Sequence, residues 1–163
     1  MNVNEQANFV WSIADLLRGD FKQSEYGKVI LPFTVLRRFD CVLAPSKEKI
    51  LEINQTLTVS NKTPIFKKYT GHDYYNISKF DFEKLTDDST SIETNLRDYI
   101  NGFSDDVKEI MDNFEIFSVI EKLSKAGLLY LIVQKFAEIN MSADAIDNLE
   151  MGYMFEELIR KFS

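Results

Sequence analysis

Apolar residues recur at helical spacing along most of this 163-residue chain, and that period constrains its fold more than any other feature. Phe9, Ile13, Leu16 and Leu17 form the first stripe. Gly19 then stands where a helix stops in left-handed geometry, and Arg18 where a cation complements a helix C-terminus. Tyr26, Val29, Ile30, Phe33 and Leu36, continued by Phe39, Val42 and Leu43, predict a second helix over about 25–43, capped at Ser24 or the residue before it. Pro32 lies inside that pattern. It lacks a backbone donor and clashes one turn back, which predicts a kink or break near Leu31. Pro45 ends the run and biases Ala44 toward extended geometry. A third helix is expected over 46–57, with Ser46 as cap and Ile50, Ile53 and Leu57 on one face.

The helical period returns at Ser91. Ile92, Leu96, Tyr99, Ile100 and Phe103 share a face, with Gly102 near its end. Short helices are expected over 105–114, with Ser104 as cap, and over 117–124. Gly127 separates these from an apolar helix over 128–139. A last helix, opened by Ser142 or Asp144, carries Ile146, Leu149, Tyr153, Leu158 and Phe162. It is still in phase at Ser163, as at a natural C-terminus that frays or in a piece of a longer protein. Between these blocks, residues 58–90 carry turn signals and the rings Phe66, Tyr69, Tyr74, Tyr75, Phe80 and Phe82. They read as an ordered, irregular region with short helical or strand pieces, packed by aromatic residues, and 74–77 is the candidate for a short strand. Only 3 Pro and 6 Gly argue against a turn-rich β fold. The expectation is one compact all-α domain of about seven or eight helices.

Composition narrows the chemistry. An apolar share of 45% supplies a packed core and argues against disorder. Cys41 is the single cysteine and His72 the single histidine, so no disulfide framework and no Cys- or His-clustered metal site is expected. The longest apolar run, 128–133, is far short of a membrane span. The N-terminus has no apolar signal segment, and the expected compartment is the reducing cytoplasm. The glycines are isolated, so no Gly-rich turn is present to cradle a nucleotide or S-adenosylmethionine. Cys41 with His72 as nucleophile and base is weighed against a buried thiol and a solvated loop histidine, and the second reading is preferred. Asp87-Asp88 and Asp105-Asp106 flank helix starts and read as caps.

The formal charge is −7, which argues against an independent nucleic-acid binder. It is unevenly spread: residues 1–50 carry net +1 and residues 51–163 net −8. Arg18, Lys22, Lys28, Arg37 and Arg38 lie close together with Trp11 and Tyr26. That density suits contacts to DNA phosphates or to an acidic partner. The bland alternative is a pair of solvated helix faces, and Asp15, Asp20, Glu25 and Asp40 dilute the phosphate case.

These residues also carry a resemblance. Trp11-Ser12-Ile13-Ala14-Asp15-Leu16-Leu17-Arg18-Gly19, followed by Tyr26-Gly27-Lys28-Val29-Ile30-Leu31-Pro32-Phe33-Thr34-Val35-Leu36-Arg37-Arg38-Phe39-Asp40, resembles the N-terminal helical domain of the modification (M) subunit of type I restriction–modification systems. A weaker likeness continues over 148–162, which in that family leads into the catalytic domain. The resemblance implies an S-adenosylmethionine-dependent DNA adenine-N6 methyltransferase. It works with a specificity (S) subunit, a second M subunit, a restriction (R) subunit and double-stranded DNA. The family's cofactor turn, similar to Pro-Ala-Cys-Gly-Thr-Gly-Gly, and its Asn-Pro-Pro-Phe catalytic motif belong downstream. Neither pattern occurs in residues 1–163, so no catalytic, cofactor-binding or metal residue carries over, and this piece alone is expected to be inactive.

What the resemblance implies for this piece is DNA clasping and subunit contact, with Arg18, Lys22, Lys28, Arg37 and Arg38 as candidate contacts. Gly27 becomes a candidate for close helix approach. Replacing Arg37 and Arg38 by Ala is expected to weaken DNA affinity in the assembled complex and flatten its salt dependence. The competing reading is a free-standing helical adaptor or regulator, with helix–turn–helix character in the first two helices. The open reading frame beyond Ser163 discriminates the two.

Overall fold

A computed structural model describes residues 2–162. Ten α-helices follow one another among the described residues: α1 Val3–Leu17, α2 Tyr26–Leu43, α3 Lys47–Thr56, α4 Thr63–Thr70, α5 Phe82–Leu85, α6 Ile92–Asn101, α7 Asp105–Asn113, α8 Ile116–Lys125, α9 Leu129–Ala137 and α10 Asn148–Phe162. The fold is all-α, as the periodicity requires. The two helices beyond the expected eight, α4 and α5, lie inside the irregular region, where eight- and four-residue helices are too short to show a full apolar stripe.

α2 is the centre of the fold and packs against α1, α8, α9 and α10. Val29, Ile30, Phe33 and Leu36 are fully buried along it. The helix continues through Pro32 without a break. Neighbours packed on several sides hold the backbone helical where the local sequence alone favours interruption. Ala44 corrects a second local expectation. It is helical (φ −53°, ψ −44°), because the chain turns through a 3-10 segment, Ala44–Ser46, directly into α3. Ser46 sits at the start of α3 without capping it; its hydroxyl donates back to the Leu43 carbonyl at 3.3 Å. Leu57 is 37% exposed and leaves the apolar face to Ile50 and Ile53.

Gly19 has φ +98°, which ends α1 as expected. The expected strand at 74–77 is reduced to one isolated bridge, Asn76 to Phe103. There the Ile77 N–H donates to the Gly102 carbonyl at 2.8 Å and the Ser104 N–H to the Tyr75 carbonyl at 3.0 Å. Gly102 permits this approach, since a Cβ on it would lie 2.7 Å from the Ser78 nitrogen. α10 starts at Asn148, later than Ser142 or Asp144. Asp147 and Glu150 cap it reciprocally through each other's backbone N–H, at 2.8 and 3.3 Å. Its buried residues are Met154 and Leu158, while Leu149 and Tyr153 face outward at 66% and 61% exposure. The apolar phase is therefore that of 154 and 158. A small second core, Ile50, Ile53 and Phe66, holds α3 and α4 together apart from the main core.

Candidate functional site

The five cations singled out in the sequence divide into two groups. Arg18 and Lys22 flank the turn between α1 and α2, and Lys28 lies on the outer side of the first turn of α2. All three are exposed. Arg18 forms a solvated pair with Asp15 at 2.8 Å, which contributes little to stability. Lys28 stands at the rim of a groove lined also by Val29, Phe114, Val119 and Phe162.

Arg37 and Arg38 point the other way, into the segment between α9 and α10. Arg37 donates from Nε to the Ile139 carbonyl (2.9 Å) and from Nη2 to the Ala137 carbonyl (3.0 Å). Arg38 donates from Nη1 to the carbonyls of Met141 (2.9 Å) and Ile146 (2.6 Å), and from Nη2 to Asn148 Oδ1 (3.0 Å). The last carbonyls of a helix lack intrahelical partners, and α9 ends at Ala137. Two planar guanidinium groups satisfy them and the following loop in fixed geometry. Arg37 and Arg38 thus act as an internal clamp.

Arg37 also opens onto a buried polar cluster. Its Nη1 meets Asp40 Oδ2 at 2.9 Å, and its guanidinium lies 5.4 Å from the Phe82 ring centre. Asp40 Oδ1 accepts the Tyr99 hydroxyl at 2.9 Å, and the Phe82 N–H reaches the same carboxylate at 3.3 Å. Burial pushes the Asp40 carboxyl above its ordinary value, against the pull of Tyr99 and Arg37. Nearby, Lys47 Nζ donates to Asn76 Oδ1 at 2.8 Å. Burial lowers Lys47 to about 8, opposed by the charges of Asp40 and Asp81. Asp40, Lys47, Asn76, Asp81 and Tyr99 line a cleft of about 360 Å³. Each of these five side chains has a hydrogen-bond partner in the chain, and the cluster joins α2, α3, α5 and α6. The i, i+3 spacing of Arg37 and Asp40 was the one sequence signal for it.

The remaining candidates serve structure. Burial raises the Cys41 thiol, the direction opposite to that of a nucleophile. His72 stacks on Tyr74 with centroids 5.0 Å apart. Asp88 Oδ1 accepts the N–H groups of Thr90 and Ser91 ahead of α6, and Asp106 Oδ1 accepts the Ser104 hydroxyl. Among the described residues, no helix is long and apolar enough to cross a membrane, and no group of His, Cys, Asp or Glu is placed to hold a metal.

The profile of the HsdM N-terminal domain matches residues 6–136, from α1 to the end of α9. The chain belongs to that family. It is thus the N-terminal domain type of the M subunit of type I restriction–modification systems, a methyltransferase subunit family. No curated protein and no solved structure gives a significant match. In this HsdM N-terminal domain the two quoted motifs form α1 and α2, the helices at the centre of the fold. The clamp of Arg37 and Arg38 reaches from inside the matched region to carbonyls just outside it.

Proposed function

We propose that this chain is the N-terminal part of a type I M subunit and helps it clasp DNA and assemble with the specificity subunit. Adenine-N6 methyl transfer from S-adenosylmethionine then belongs to a catalytic domain that follows residue 163, in a cytoplasmic complex with a second M subunit and the restriction subunit. The observation that carries this reading is the family match over 6–136. Exposed Arg18, Lys22 and Lys28 support a contact role at the α1–α2 turn. Arg37 and Arg38 support it indirectly, by holding the approach to α10. Helix–turn–helix docking lacks support, because α2 is packed by α1, α8, α9 and α10 and Lys28 is its one exposed residue.

The test uses the full-length subunit assembled with its specificity subunit. Removing residues 1–163 is expected to leave S-adenosylmethionine binding in place while DNA affinity or assembly is lost. Charge reversal of Arg18, Lys22 and Lys28 is expected to weaken DNA binding most at low salt. Unchanged assembly and unchanged DNA affinity after the deletion would overturn the reading.

A further inference from the structure

The helices α3 and α4 form a hairpin that stands on its own small core of Ile50, Ile53 and Phe66. Phe66 packs on Tyr75 with ring centres 4.7 Å apart. Lys62 Nζ ties the connecting loop to the Asn54 carbonyl at 2.8 Å, and Thr63 Oγ1 meets the Tyr75 hydroxyl at 3.1 Å. The hairpin is thus a preorganised platform.

Its charge runs against that of the chain. Residues 47–72, which span the hairpin, carry Lys47, Lys49, Lys62, Lys67 and Lys68 against Glu48 and Glu52, and 53–72 is the longest acid-free stretch in a protein with 26 acidic residues. The outer face of α4 presents Lys67 and Lys68, both exposed. Neither has a hydrogen bond or an ion pair among the described residues. Beside them Tyr69 is 48% exposed, and Lys49 Nζ lies 5.4 Å from its ring centre. Lys49 is shared only with Glu52, at 3.7 Å in solvent.

We propose that this α3–α4 hairpin is a second DNA-backbone contact, in which Lys67 and Lys68 meet phosphates and Tyr69 donates its hydroxyl to a phosphate oxygen. This rests on the DNA-clasping reading above and extends it to a surface far in sequence from Arg18, Lys22 and Lys28. Phosphate contacts are made by Lys, Arg and Tyr side chains, whereas lysine is depleted from protein–protein interfaces. Two unpaired ammonium groups beside an exposed phenol fit the former. The contact is blind to base sequence, since it reads only the backbone.

The experiment measures duplex binding by the full-length subunit assembled with its specificity subunit, across a salt series, for wild type and for Lys67→Ala/Lys68→Ala. The expected result is a loss of about tenfold in affinity at low salt. The slope of log affinity against log salt becomes shallower by about 2, for two phosphate contacts removed. Both lysines are exposed, so thermal unfolding is expected to stay unchanged and serves as the folding control. An unchanged affinity and slope overturns the proposal. So does a loss of assembly with the specificity subunit at unchanged DNA affinity, which makes the hairpin's partner an acidic protein surface. If reversal of Arg18, Lys22 and Lys28 still weakens DNA binding, only the hairpin contact has failed. If neither set of changes nor removal of residues 1–163 matters, the clasping reading itself has failed.

Discussion

Gly27 of α2 lies so close to Phe162 of α10 that a Cβ built on it would sit 2.7 Å from the Phe162 carbonyl oxygen and 3.0 Å from its Cβ. The oxygen is backbone and cannot rotate away. Glycine at this helical position costs about 1 kcal/mol relative to alanine, yet here it is what lets the two helices meet. Gly27→Ala is therefore expected to destabilise by about 1–3 kcal/mol through overpacking. Gly152 supplies the control: it is on the exposed side of α10, with nothing within 4 Å of a Cβ. Gly152→Ala is expected to stabilise by about 0.5–1 kcal/mol. Urea unfolding of the two variants gives opposite signs if the geometry is right, and equal signs would contradict it.

Arg37→Ala removes the partner of the buried Asp40 carboxylate as well as two carbonyl contacts. A loss of about 3–5 kcal/mol is expected, because an uncompensated buried charge remains. Arg38→Lys is expected to recover little of what Arg38→Ala loses, since one ammonium does not span Met141, Ile146 and Asn148. Denaturant midpoints test both. Any fall in DNA affinity of an Arg37, Arg38 double variant is then to be read after its folded fraction is known.

Lys47 gives a pH signature. Its folded value is held to about 8 by burial, below the 10.5 of a free lysine. Between about pH 8 and pH 10 the unfolded chain therefore binds more protons at this site than the folded one, and stability rises with pH across that window. Lys47→Met is expected to flatten the rise and to increase stability below pH 8. Asn76 Oδ1 keeps its Ser78 N–H donor in that variant. Above pH 10 the trend turns, because burial holds Tyr99 protonated in the folded state while unfolded tyrosine ionises. The raised Cys41 thiol opposes the rise equally in both proteins, so a Lys47→Met curve parallel to wild type from pH 8 to 10 would rule out the buried-ammonium account.

Tyr99→Phe deletes one donor to Asp40 and leaves Arg37 and the Phe82 N–H in place. The expected cost is about 1–3 kcal/mol, the range for a buried acceptor that loses one of its donors. A variant as stable as wild type would show that the hydroxyl bond adds nothing to the cluster.

The long helices were legible because their apolar stripes exceed two turns. Phe9, Ile13 and Leu17 in α1, and Leu96, Tyr99 and Ile100 in α6, are buried as the period requires. What was illegible depended on partners distant in sequence. A break at Pro32 was the local reading, while α2, packed by four other helices, runs on as one helix. Leu149 and Tyr153 looked like core until the phase of α10 was set by Met154 and Leu158. Gly27 was correctly placed at a close approach, although the helix that approaches it could not be named. The basic cluster was visible as composition. Its division into outward Arg18, Lys22 and Lys28 and inward Arg37 and Arg38 needed the carbonyls of 137–146 in view.

The inward pair has a consequence for the order of assembly. Arg37 and Arg38 bond to groups 100 to 110 positions along the chain. Closing such a loop carries an entropic cost that must be met before these bonds can form, so they belong to the late stage of folding. α10 is expected to dock after α2 and α9 are paired and to detach first when the domain opens. Native-state hydrogen exchange should accordingly show the amides of α10 trading with solvent by local opening, while those of α2 wait for global unfolding.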